Sequence, residues 1–105
     1  MNFLINKSKL KINPSQFMRR AGYGFIIDRH SGNETFIRNL TREHYPRFHM
    51  YVKEDEVKIE FSLHLDQKKA MYAGQHAHNA EYDGPVVMGE VDRLKDLLRN
   101  IYLNQ

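Results

Sequence analysis

The chain contains no cysteine, which excludes both a disulfide framework and a thiolate metal site. It also lacks any long hydrophobic run. From Met1 to Ile12 the only contiguous apolar stretch is Phe3-Leu4-Ile5, whereas a secretory h-region needs about 7–15 apolar residues. Nothing along the chain approaches the roughly 20 apolar residues of a membrane span. A cytoplasmic protein without membrane association is therefore expected. A glycine-rich phosphate loop is missing too: Gly22-Tyr23-Gly24 has no further fingerprint glycine and leads into a strand-like run instead of a helix. No serine nucleophile with an adjacent base is visible, and there is no internal repeat, low-complexity tract or linker.

What remains fits one domain spanning residues 1–105. A hydrophobic fraction of 41% with 28% charged residues is compatible with a folded core and argues against disorder. The net charge of +3 conceals a strong polarity. Residues 1–53 hold ten Lys/Arg against three Asp/Glu, whereas residues 54–105 hold six against ten. A basic half favours a polyanionic partner such as nucleic acid, because clustered cations release phosphate counterions on binding. An uneven but merely solvated surface is the competing account.

Periodicity supplies the elements. Lys7, Lys9 and Lys11 alternate with Ser8, Leu10 and Ile12, the period of a half-buried strand with a lysine edge. Asn13-Pro14-Ser15-Gln16 reads as a helix start with a capping box, and the short helix turns Phe17, Met18 and Ala21 inward before stopping at Gly22. Two β-rich runs follow, Tyr23–Asp28 and Glu34–Leu40, joined by a turn through Arg29-His30-Ser31-Gly32-Asn33 in which Ser-Gly-Asn is a hairpin signal.

A second hairpin is more sharply patterned. A two-residue turn at Glu54-Asp55 pairs Lys53 with Glu56, Val52 with Val57, Met50 with Ile59, Phe48 with Phe61 and Pro46 with Leu63. The alternate pairs are Tyr51 with Lys58, His49 with Glu60, Arg47 with Ser62 and Tyr45 with His64. One face is then apolar and the other polar. Glu-Asp lacks the glycine or asparagine of a tight primed turn, which leaves a four-residue loop open. From Gln67 to Gly84 the periodicity fades, with Ala70–Ala73 as a candidate short strand. Pro85 opens a helix to Leu103 whose stripe of Val87, Val91, Leu94, Leu98 and Ile101 is apolar, while Glu90–Arg93, Asp92–Lys95 and Asp96–Arg99 support its wet side. The expected fold is α+β: an antiparallel sheet of four to five strands, a short N-terminal helix, and a long C-terminal amphipathic helix packed on one face.

Two constellations can carry chemistry. Of the six histidines, His64 shares a strand face with Asp66, and His76 shares one with His78 if that segment is extended. His64, Asp66, His76 and His78 are therefore the candidate ligands of a divalent metal, zinc among the possibilities, with Glu81 or Asp83 orienting an imidazole or acting as a base. Exposed or capping loop histidines are the plainer account. The second constellation is the polar hairpin face, where Glu60 as base and His49 as acid would serve metal-independent RNA cleavage. Arg47, Tyr51 and Lys58 would bind nucleic acid there without catalysis. An ordinary solvated sheet face is again the plainer account. A third reading is a non-catalytic module that forms a homodimer through its C-terminal helix.

Overall fold

Alternating apolar and polar residues lay down an antiparallel sheet, and helices cover one of its faces. The computed structural model describes residues 1–27, 34–69, 78–81 and 84–103. The elements are β1 (Asn2–Asn6), α1 (Pro14–Arg20), β2 (Gly24–Ile27), β3 (Glu34–Asn39), β4 (Arg47–Glu54), β5 (Lys58–Lys69), β6 (His78–Glu81) and α2 (Pro85–Leu103). The strands run β1-β5-β4-β3-β2, and β6 also pairs with β5. β1 takes the half of that edge from Lys58 to Ser62 and β6 the half from Leu65 to Lys69. The α+β class and the placement of both helices are as the sequence predicts. The candidate strand at Ala70–Ala73 lies outside the described residues. Among the described residues no helix is long and apolar enough to cross a membrane.

The first strand comes earlier than the lysine alternation implies. Phe3 and Ile5 turn toward the core while Leu4 points out, so Asn2–Asn6 forms the strand. Lys7–Lys9 is a 3-10 turn instead, because the Asn6 side chain accepts from the Ser8 amide and hydroxyl, and the Leu10 amide closes back on the Lys7 carbonyl. α1 begins with the predicted capping box: the Asn13 side chain accepts from the Gln16 amide at 2.8 Å and the Gln16 side chain accepts from the Asn13 amide at 3.2 Å. It ends at Gly22, whose φ of 94° is a conformation that favours glycine.

The β4–β5 hairpin corrects the expected register. Glu54 pairs with Ile59, Lys53 with Glu60, Val52 with Phe61, Met50 with Leu63, His49 with His64 and Arg47 with Asp66. The physical reason is Asp55. Its carboxylate accepts from the Val57 and Lys58 amides at 2.7 and 2.8 Å, and its own amide donates to the Lys58 carbonyl. Aspartate thus builds a wider loop in place of a two-residue turn. Those amides, Lys58 ahead of Val57, hold the Asp55 carboxyl below its ordinary range. The partner strand is offset by four residues, an even number, so every side chain keeps its expected face. Val57 is the exception: it sits on the loop at 63% exposure, and Leu65 joins the buried set.

The core lies between the sheet and the helices. Phe48, Met50, Ile59, Phe61, Leu63 and Leu65 are buried from the hairpin. Phe61 stacks on Phe3 at 5.0 Å between centroids and meets Phe17 edge-on at 5.8 Å. The whole α2 stripe, Val87, Val91, Leu94, Leu98 and Ile101, is buried in this cluster. The stripe is thus used against the chain's own sheet, as expected, and a homodimer through it gains no support.

Glu90 does not serve the wet side of α2 either. It is buried, accepting from Tyr23 Oη at 2.5 Å, from Arg93 Nε and Nη2 at 2.7 and 2.8 Å, and from Arg38 Nη2 at 3.3 Å. Arg93 also donates to the Ala21 carbonyl. The network ties α2 to the α1–β2 turn and to β3. Burial alone would raise the Glu90 carboxyl, but the hydrogen bonds from Arg93 and Tyr23 and the Arg38 charge outweigh it and hold the group below its ordinary 4.5. Burial, with the Glu90 hydrogen bond and charge, drives the Tyr23 phenol above its ordinary range.

Two outcomes follow for stability. Phe61→Ala should cost about 3–5 kcal/mol in denaturant unfolding, since it opens a cavity under three packed elements. A depressed native carboxyl contributes stability that is complete above the unfolded value and is lost as pH falls through the folded one. Glu90→Gln should therefore destabilise the protein by about 1–3 kcal/mol at neutral pH and flatten the decline of its melting temperature below pH 4.5. A steep, unchanged acid decline in the variant would contradict the assignment.

Candidate metal centre

The face of the sheet away from the helices carries the polar side chains of the hairpin. On β5, Ser62, His64 and Asp66 follow one another at intervals of two and so share that face; on β4, Arg47, His49 and Tyr51 do the same. The register sets Arg47 opposite Asp66, His49 opposite His64 and Tyr51 opposite Ser62. Asp66 is therefore beside His64 along its own strand, diagonal to His49 and directly across from Arg47, all within side-chain reach. On its other side the backbone of β6 passes, with Ala80 paired to Asp66.

The contacts match this placement. His49 Nδ1 lies 3.0 Å from Asp66 Oδ2 and is hydrogen-bonded to it. His64 Nε2 lies 3.0 Å from Asp66 Oδ1. Arg47 Nε stands 3.7 Å from Asp66 Oδ2, beyond hydrogen-bond range. The rings form a small stack: His49 on Tyr51 at 4.6 Å, His49 beside His64 at 4.9 Å, and Tyr51 on His64 at 5.5 Å. The Arg47 guanidinium lies over the Tyr45 ring at 4.9 Å.

Both His49 and Asp66 are buried. Burial alone would raise the Asp66 carboxyl, but its contacts with the His49 and His64 imidazoles outweigh that, and the group is held well below the usual carboxylate range. It is thus an anion at neutral pH. An anionic Asp66 requires His49 to present a proton on Nδ1, which puts the lone pair of the neutral ring on Nε2. That Nε2 is buried and has no hydrogen-bond partner, and the same holds for Arg47 Nε, whereas Asp66 Oδ1 faces His64 Nε2. Unsatisfied buried polar atoms are uncommon in native proteins, and an ion or ligand is one of the ordinary explanations. Two of them, His49 Nε2 and Arg47 Nε, sit in one cluster around a buried carboxylate.

One ligand atom each from His49, His64 and Asp66 fall within 4.8 Å of one another, so the group could hold a metal ion. Ligands bound tetrahedrally at about 2.0–2.1 Å sit about 3.3 Å apart, which small side-chain rotations supply from the observed spacing. Of the predicted ligands, the structure brings together His64 and Asp66. His76 lies outside the described residues. His78 opens β6, with its backbone opposite Lys69. His49 was expected as a proton donor opposite Glu60, and here the register corrects the expectation. Glu60 pairs with Lys53, four residues down β5 from His64, a separation of roughly 13 Å along a strand. Lys58 stands at the hairpin end of β5, opposite Asn6 of β1, while Arg47 and Tyr51 stay with His49. Reading Asp55 as the loop-building residue would have exposed the His49–His64 pairing in advance.

Compared with protein-family models, with curated proteins and with solved structures, the chain matches none. The site must therefore speak through its own geometry.

The tautomer is directly measurable. Nitrogen-15 correlation spectra should show neutral His49 carrying its proton on Nδ1, and Asp66→Asn should shift the ring toward the Nε2-protonated form. A wild-type His49 protonated on Nε2 would contradict the hydrogen-bond assignment.

Proposed function

We propose that this protein is a small divalent-metal-binding domain whose protein ligands are His49, His64 and Asp66. The observation that carries the reading is the cluster itself: ligand atoms of His49, His64 and Asp66 within 4.8 Å of one another, with His49 Nε2 buried and without a hydrogen-bond partner. Two imidazoles and one carboxylate, without thiolate, suit zinc, iron, nickel or manganese. Three protein ligands leave a coordination position for water or substrate, the pattern of catalytic rather than structural zinc sites. Hydrolysis is the reaction class that such a position serves, since bound water becomes a nucleophile at neutral pH. The anionic Asp66 supplies the charge that draws a cation into a largely buried place.

The ribonuclease reading loses its Glu60–His49 pair to the register, and a nucleic-acid partner gains no support from the cluster.

Metal-depleted, untagged protein titrated with zinc, cobalt(II) or manganese should take up one ion per chain. At a free-ion concentration a hundredfold above the dissociation constant, unfolding should become harder by about 2.7 kcal/mol. His49→Ala and His64→Ala should each abolish that stabilisation, whereas Glu60→Gln should keep it. Failure of all three metals to bind at micromolar concentration would overturn the proposal.

A further inference from the structure

Resting on that metal reading, the geometry points to a phosphate group as the ligand that shares the site, bound between the metal and Arg47. The argument is one of charge and of donors. Without a metal, Arg47 and Asp66 are one cation and one anion 3.7 Å apart, on side chains 18% and 5% exposed. A divalent ion added to two neutral imidazoles, Asp66 and Arg47 leaves two positive charges uncompensated in a place poor in water. Such an imbalance calls for a dianion, because uncompensated charge in a low-dielectric site is costly. A phosphate dianion restores neutrality, and a single carboxylate does not.

The donors agree. Arg47 Nε is buried and makes no hydrogen bond, Asp66 being too distant to accept one. The guanidinium carbon lies 4.9 Å from the centre of the Tyr45 ring, a cation–π contact that does not use the N–H fork as donors. Bidentate recognition of phosphate is the interaction that guanidinium geometry favours. Once Asp66 turns to a metal, its attraction for Arg47 weakens further, and the guanidinium is left to an exogenous anion. Arg47 is thus a binding residue for substrate charge rather than a partner of Asp66.

The test uses the cobalt(II)-loaded full chain, whose visible spectrum reports on the coordination sphere. Inorganic phosphate should perturb the spectrum saturably, and acetate should do so much more weakly. Arg47→Gln should weaken phosphate on the order of tenfold or more, the value of one to two charge-assisted hydrogen bonds. Arg47→Lys, which keeps the charge but not the fork, should fall between. Both variants should bind cobalt as tightly as wild type or more tightly, since a competing cation beside Asp66 is removed or displaced, and a merely structural role for Arg47 would not give that result. Cobalt that binds while phosphate leaves the spectrum unchanged, or phosphate affinity equal in wild type and Arg47→Gln, overturns the phosphate assignment and leaves the metal site standing. Absence of cobalt binding in the wild type overturns both.

Discussion

The pairing of β4 with β5 is the constraint on which the rest of the molecule depends. One loop residue sets it: Asp55 gathers the Val57 and Lys58 amides onto its carboxylate, and the strands leave the loop with Glu54 opposite Ile59. From that starting point the ladder delivers Phe61 between Phe3 and Phe17 on one face and Asp66 among Arg47, His49 and His64 on the other. Core and candidate site are two consequences of the same register. A shift by two pairs would leave the core apolar but disperse the polar cluster, so the site is the more exacting product of the loop.

Among the described residues two carboxylates are buried, and they are treated differently. Glu90, on the helix side, accepts from a phenol and two guanidinium groups. Its lone pairs are spoken for by donors that hold their protons at neutral pH, and its work is to fasten α2 to the sheet. Asp66 faces two imidazoles and an arginine held just out of reach. Imidazoles can exchange a proton for a metal, whereas guanidinium groups cannot. The same residue class, equally buried, is locked by cations in one place and set beside potential metal ligands in the other by the choice of neighbours.

This contrast also explains what could be read from the sequence. Side-chain alternation is a local property, so the faces of the hairpin, the α2 stripe and the α1 capping box were all legible. The partners across the strands were not, because an even shift preserves every face and the apolar pattern cannot tell one such register from the next. His64 and Asp66 emerged as a pair since they are neighbours on one strand. His49 was assigned to another partner because its place beside them is set by the loop chemistry of a residue six positions away. Glu90 was misread for a similar reason: its spacing to Arg93 is that of a surface pair, and only Tyr23 and Arg38, distant in sequence, draw it inside.

β5 is held on one edge by two short strands laid end to end. β1 occupies the stretch to Ser62 and β6 begins at Leu65, so His64 stands at the seam between them, with Asp66 just beyond it. A continuous neighbouring strand would weld that edge into one cooperative block. A divided one gives the two halves separate tethers. Peeling β6 away would bare the backbone beside Asp66 and leave the β1 ladder beneath the core intact. The edge therefore works like a split hem: the amides of β5 that pair with β6 beside Asp66 can open to exchange while those that pair with β1 keep their protection.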